Sequence, residues 1–350
     1  MEMSKKGFKT TFVWALALIL CVCIAGTASA MEKTVWRLQS VWTTNSAMHT
    51  TSAQMCKNIE DRTGGKLVVK LFGPGEIVPS APEVLDAIRN GVVEMASSTG
   101  IYNSAKIKEG LVEFGLPFGL ENPDQLREFW YQYKGGENYK LLQEAYREKG
   151  VELLYTGSGL SYGYITTFPV NSIADFKGKK IRSFGFFGAV VAYMGGKPVS
   201  LPNEDQYLAL QQGTVDGTIF AYLGLETMKF KDVAKHVVLP PPLGAPAINL
   251  FCSKKAFDKL DPDVQKILYE ECEKQNKAYL ATEIPQEAEL LKNAAAHGLT
   301  IHKLSQADID TMREKTARLW DSQAQKTPRN KIIVANLKEF LAEKRAAAAK

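Results

Sequence analysis

The segment Asp175–Gly185, DFKGKKIRSFG, sets a basic turn in front of a short apolar strand, and its chemistry rests on Arg182. Gly178 and Lys179 make the turn, and Ile181 and Phe184 are the apolar residues of an extended run that Gly185 stops. Arginine in such a strand is almost never fully buried unless something pairs with it. No carboxylate stands close to Arg182 in the sequence. Either its stem carries the charge back to solvent, or its partner comes from outside the chain.

Other reactive chemistry is hard to assemble. The four histidines, His49, His236, His297 and His302, are scattered, and only His49 falls near an expected crevice, where a structural role is the simpler account. Neither GxSxG nor GxGxxG occurs, and Gly157-Ser158-Gly159 is too short for a phosphate loop. Glu76 and Asp86 have no spacing that makes them an acid–base pair. There is no CxxC or HExxH, so no metal site is signalled. The residues point to binding, not turnover.

The first thirty residues read as an export leader. Lys5, Lys6 and Lys9 precede an apolar run from Phe12 to Ala25, and Ala28-Ser29-Ala30 is a small-residue cleavage site. The run is shorter than the roughly 20 residues a spanning helix needs, so cleavage after Ala30 is expected, not anchoring. Cys21 and Cys23 follow Leu20 and Val22, where lipid attachment wants a small residue. Removing three lysines and Glu2 takes the formal charge from +5 to +3, too mild to argue for nucleic acid. Cys56, Cys252 and Cys272 remain, enough for one disulfide at most, with any pairing left open. The remaining chain of about 320 residues suits two domains.

Strand and helix alternate along it. Val35–Val41, Lys66–Phe72 and Val92–Ser98 read as strands, with helices opened by Ser46 and running over Pro82–Asn90. The pattern restarts with strands over 152–157, 162–167, 197–201 and 218–222. Such alternation implies mainly parallel sheets with ligands beyond the strands' carboxyl ends, where Trp42–Ser46, Gly73–Pro79 and Thr99–Asn103 lie. Pro240-Pro241-Pro242 reads as a polyproline connector, and Ala247–Ser253 as a strand. Asp261-Pro262 starts a helix with a capping carboxylate that only Pro285 interrupts before His297. About thirty residues at 1.5 Å each must cross both domains.

Two stretches carry a family likeness. SIADFKGKKIR, residues 172–182, resembles a signature of the substrate-binding subunits of TRAP (tripartite ATP-independent periplasmic) transporters. QYLALQQGTVDG, 206–217, resembles that family's second signature, and Thr63-Gly64-Gly65 before KLVVKLF and Phe114–Phe118 also fit. The resemblance implies an α/β, two-domain periplasmic-binding-protein fold, each domain a mainly parallel sheet flanked by helices. Domain I would hold residues 31–159 and 247–287, and domain II 160–246 and 288–350 with the C-terminal helices. It implies a periplasmic receptor with no cofactor, catalytic group or metal, which hands an organic acid to integral-membrane permease subunits. In that family the strand arginine forks onto a carboxylate; here that residue is Arg182.

Two departures bear on the ligand. Where polyanion-binding members carry a second arginine, this chain has Tyr162. Where a Gln-Glu-Asn-like run is common, it has Thr218-Ile219-Phe220. These favour a monocarboxylate with an apolar or aromatic body, in a pocket also bordered by Trp42, Asn45, Tyr102 and Phe186. A 2-oxo acid held with a metal ion, a small sulfonate, or a sensor module of the same fold are the alternatives.

Overall fold

The computed structural model describes residues 33–348. The leader and its cleavage after Ala30 lie outside the described residues. Strands β1 (Thr34–Ser40), β2 (Leu67–Phe72), β3 (Met95–Ser98), β4 (Val151–Ser158) and β10 (Ala247–Ser253) form one sheet, ordered β2-β1-β3-β10-β4. Strands β5 (Tyr162–Thr166), β6 (Lys180–Arg182), β7 (Lys197–Val199), β8 (Gly217–Ala221), β9 (His236–Leu243) and β11 (Thr300–Lys303) form the other, ordered β11-β9-β5-β8-β6-β7.

Each sheet contains one reversed strand. In the first it is β10, antiparallel to β3 and β4. In the second it is β5, antiparallel to β8 and β9. These are the strands by which the chain crosses between sheets, β4 leading into β5 and β9 into β10. A strand that leaves one sheet at its carboxyl edge and continues straight enters the next from that sheet's carboxyl edge, and so runs against its neighbours. The two carboxyl edges therefore face each other, with the crossings between them. Gly159 N–H donates to the Pro246 carbonyl at 2.7 Å, tying one crossing to the other. Asn276 takes both backbone groups of Ser158, donating to its carbonyl at 2.8 Å and accepting from its N–H at 3.3 Å. A Cβ at Gly157 would lie 2.3 Å from the Asn276 Oδ1, so only glycine leaves room for this clamp.

The long helix is Pro262–Lys292, 31 residues, or about 46 Å. Its Val264, Leu268 and Cys272 join the first sheet's core beside Leu38 and Leu250; its Tyr279 and Leu290 join the second's beside Ile165 and Val237. It runs through the exposed Pro285. Asp261 does not cap it by a side-chain bond, contrary to the sequence reading; its carboxylate pairs with Lys66 Nζ at 3.1 Å. Pro262 still occupies the first turn, where no N–H is needed.

Other expectations are corrected. The three prolines 240–242 lie inside β9, not in a connector. β9 pairs with β5 through 236–238 and again at Leu243, and β11 reaches only Leu239, so no ladder N–H is demanded of the prolines. His236 accordingly sits on β9, with its Nδ1 2.9 Å from His302 Nε2 on β11. The helix Pro328–Ala348, assigned on sequence with the second domain, packs on the first. Its Ile333, Val334, Leu337, Phe340 and Leu341 form one stripe that fills the groove by Phe129, Trp130 and Leu142. Asn336 also donates to Asn138 Oδ1 at 2.8 Å. Cys56, Cys252 and Cys272 are all buried and free.

Among the helices of the first half, Glu113 is 1% exposed. Tyr146 Oη donates to its Oε2 at 2.5 Å and Asn249 Nδ2 to its Oε1 at 3.0 Å. Burial pushes its carboxyl up to about 7, the bonds from Tyr146 and Asn249 drawing it partly back. A carboxyl with a raised folded-state pKa favours folding when protonated, and that contribution fades as pH climbs from about 4.5 to about 7. Glu113→Gln is therefore expected to flatten the fall in stability over that window, measured as urea midpoints at a series of pH values. Comparing the two proteins separates Glu113 from Glu287, whose carboxyl burial also pushes up to about 7. Equal slopes in the two would show that Glu113 does not titrate there.

Candidate functional site

β6 is three residues long and lies between β8 and β7, with Arg182 opposite Thr218 on one side and Val199 on the other. Alternation sends Ile181 into the core with Phe187 and Ile219 and turns Arg182 to the other face, at the strand's carboxyl end. Arg182 is 5% exposed. Its Nε donates to the Leu201 carbonyl at 3.1 Å, one terminal nitrogen to the Ile219 carbonyl at 3.5 Å, and the other to Asn203 Oδ1 at 2.8 Å. A guanidinium has five N–H donors, so these three bonds leave one on each terminal nitrogen. Among the described residues Arg182 forms no ion pair. Burial holds its pKa below the usual value, Tyr162, Tyr102 and Glu204 acting in the opposite sense, and an arginine so shifted is still charged at neutral pH.

The acceptor on Asn203 is fixed from behind. Gln206 Nε2 donates to Asn203 Oδ1 at 3.0 Å, and the Thr218 hydroxyl donates to Gln206 Oε1 at 2.6 Å. Aromatic rings make the rest of the surroundings. The guanidinium carbon lies 5.1 Å from the Phe184 ring centre, within cation–π range. Tyr162 stands 5.8 Å from Phe184 and 6.1 Å from Phe220, ring centre to ring centre. From the other half of the molecule Phe114 approaches Tyr162, Phe184 and Phe186 at 6.4, 6.3 and 6.1 Å. Gly185 is left-handed at φ +53°, and a Cβ there would meet Ile101 Cδ1 at 2.8 Å. Glycine thus allows both the turn after Arg182 and the close approach of the two halves.

The structure gathers Arg182, Tyr162, Phe186 and Phe220 from the sequence-expected set; Tyr102 is 37% exposed, its partial burial raising the phenol pKa and the Arg182 charge opposing that rise. Burial likewise pushes the Tyr162 phenol up to about 12, so it is neutral at physiological pH. Three residues are placed otherwise. Thr218 is fully buried and its hydroxyl is committed to Gln206, so it supports the anchor from behind. Trp42 directs its Nε1 to Ser97 Oγ at 3.0 Å and packs beside the core of Met48 and Tyr279. Asn45 is exposed on its loop. Ile219, expected to face the ligand, points into the core and offers only its carbonyl. Sequence reasoning missed Phe184, Phe114 and Asn203. Phe184 was findable, since it stands two residues from Arg182, just past the end of the strand. Phe114 lay inside a quoted motif; nothing in the pattern marks Asn203.

The family model for bacterial extracellular solute-binding proteins, family 7, matches residues 38–327. A monocarboxylate 2-oxoacid-binding periplasmic protein of Nostoc sp. is 24% identical over 312 residues, 87% of this chain and 83% of that protein. A TRAP periplasmic solute-binding protein from Pseudoalteromonas atlantica, solved with sodium and pyruvate bound, aligns with a TM-score of 0.79 at 24% identity, over 90% of this chain and 96% of the other. A TRAP transporter solute-binding protein from Bordetella bronchiseptica, solved with calcium and picolinate, aligns at 0.77 and 25% identity, over 90% and 94%.

Thr218→Val keeps the shape of the side chain and leaves Gln206 Oε1 buried without its donor. The expected loss is about 1–3 kcal/mol in urea denaturation, with the denaturant slope unchanged. Wild-type stability in this variant would mean that Gln206 is held by other contacts.

Proposed function

This chain belongs to the bacterial extracellular solute-binding protein family 7, and we propose that it captures a small organic monocarboxylate with an apolar or aromatic body in the cleft between its two sheets. Arg182 anchors the carboxylate; Tyr162, Phe184, Phe186 and Phe220 border the body. The closed receptor then delivers the acid to the membrane permease of a TRAP transporter. The observation that carries this reading is a buried guanidinium with two donors left over and no carboxylate of its own. The lobes are taken as residues 31–159 with 247–287, and 160–246 with 288–327, the helix Pro328–Ala348 returning to the first. Export removes the leader after Ala30, so N-terminal sequencing of periplasmic material should begin at Met31; a chain still carrying Lys5 and Lys6 contradicts this.

The Nostoc relative's name makes 2-oxo acids a natural subset of these ligands. A cation shared with the carboxylate would need oxygen ligands beside Arg182. Among the described residues the carboxylate whose charge acts on the guanidinium is the exposed Glu204, no group of three or more His, Cys, Asp or Glu side chains is placed to hold a cation, and the carbonyls of Leu201 and Ile219 already accept from Arg182. That donor set does not suit a metal, and the reading is built without one.

Calorimetry tests the anchor and the body together. Arg182→Ala should lower affinity by a factor of roughly 10² to 10³ or more, because one partner of a buried pair is lost at about 3–5 kcal/mol. Lysine should rescue poorly, keeping charge but not the planar fork. Burying about 100 Å² of ligand apolar surface adds about 2.5 kcal/mol, whereas a second carboxylate would lose its hydration against a neutral phenol and rings. Phenylacetate or 4-methyl-2-oxopentanoate should therefore bind at least tenfold more tightly than succinate. Succinate as the tightest ligand would overturn the pocket, and full affinity in Arg182→Lys would overturn the fork.

A further inference from the structure

We propose that Asn203 is a positioning residue for the anion anchor: it fixes the plane of the Arg182 guanidinium and, being neutral, leaves that charge for the ligand. The inference rests on the reading of Arg182 just given and deepens it.

Asn203, Glu204 and Asp205 are consecutive on an exposed loop between Leu201 and the helix Gln206–Gln211. Of the three, the neutral residue is the one in contact with Arg182, at 2.8 Å, while neither acid forms an ion pair with it among the described residues. A carboxylate in the place of Asn203 would reach the guanidinium at the same distance, and a charged acceptor there would neutralise it before any ligand arrived. The amide avoids that and still defines direction. A guanidinium only donates, so the Asn203 amide oxygen, not its NH₂, faces Arg182, and Gln206 Nε2 then donates to that Oδ1 at 3.0 Å and to the Asn203 carbonyl at 3.3 Å. That leaves Gln206 Oε1 to accept from the Thr218 hydroxyl, so the relay runs from the cleft edge through the helix to β8. Together with the Leu201 carbonyl at Nε, the Asn203 oxygen fixes two points of a planar group and so its orientation.

The test compares Asn203→Asp, Asn203→Ala and Arg182→Ala with the wild type. Calorimetry with phenylacetate and 4-methyl-2-oxopentanoate is combined with melting temperatures and ¹⁵N spectra of the arginine side chains. Asn203→Asp should weaken both acids by roughly a hundredfold or more while raising the melting temperature, because the introduced carboxylate occupies the anchor. Asn203→Ala should weaken them by roughly tenfold, and the two Arg182 Nη signals, separate in the wild type, should merge as the guanidinium gains rotation. Wild-type affinity in Asn203→Asp, or separate Nη signals in Asn203→Ala, overturns the positioning role. Melting temperature and Nη signals need no ligand, so they decide the matter even where neither acid binds. If Arg182→Ala alone loses binding and both Asn203 variants keep it, the anchor stands and this inference falls. If Arg182→Ala binds as the wild type does, the anchor itself is wrong.

Discussion

A guanidinium taken out of water without an opposing charge is the constraint from which the cleft is built. Desolvating a charge costs several kcal/mol even after relaxation, and neutral dipoles recover only part of it. Here the dipoles are the carbonyls of Leu201 and Ile219 and the amide of Asn203. Strand order supplies them. β6 lies between β8 and β7, so Arg182 reaches a carbonyl of β8 on one side and one just beyond β7 on the other. On an edge strand it would have half of that support. The fold thus tolerates the charge without cancelling it, and an unpaired charge in a cleft is an affinity for anions.

The same topology decides what lies around Arg182. Because β4 runs on into β5 and β9 into β10 without turning back, both carboxyl edges open onto one space. The helix Gly110–Phe114 from the first half can then place Phe114 against Phe184 and Phe186 of the second. The long helix, shared between the two cores, and the Asn276 clamp on Ser158 keep the halves joined where they cross.

Much of this was legible from residue order. Ser46 as a helix cap, glycines as stops and the alternation of strands follow from local chemistry that tertiary contacts did not override; Ser46 Oγ accepts from His49 N–H at 3.3 Å. The errors share a cause. Thr218, Ile219 and Phe220 were taken as one surface, although neighbours on a strand face opposite ways, and the alternation sends Ile219 to the core. The prolines of β9 read as a connector because a ladder vacancy is a property of the neighbouring strands, not of the prolines. The C-terminal helix shows an apolar stripe, but a stripe does not name its partner; the groove by Phe129 and Leu142 does. Asn203 had no pattern at all, since its role exists only once Arg182, Gln206 and Thr218 are close in space.

Selectivity follows from separating what closes the cleft from what recognises the ligand. On the proposed reading the approach of Phe114 to Phe184 and Phe186, and the close passage of Ile101 by Gly185, hold the two halves together whichever small acid is present. A ligand shifts such an equilibrium only by its differential affinity for the closed form. On the proposed reading any carboxylate would gain from Arg182 in that form, so the anchor would select for charge without distinguishing one acid from another. The distinction falls to the far end of the ligand, where the group nearest in kind to a second anchor is Tyr162, whose phenol stays neutral at physiological pH. One fixed positive charge facing rings and a phenol discriminates by what it refuses to solvate. On that reading a second negative charge is disfavoured, because the neutral phenol and rings described around Tyr162 would have to replace its water.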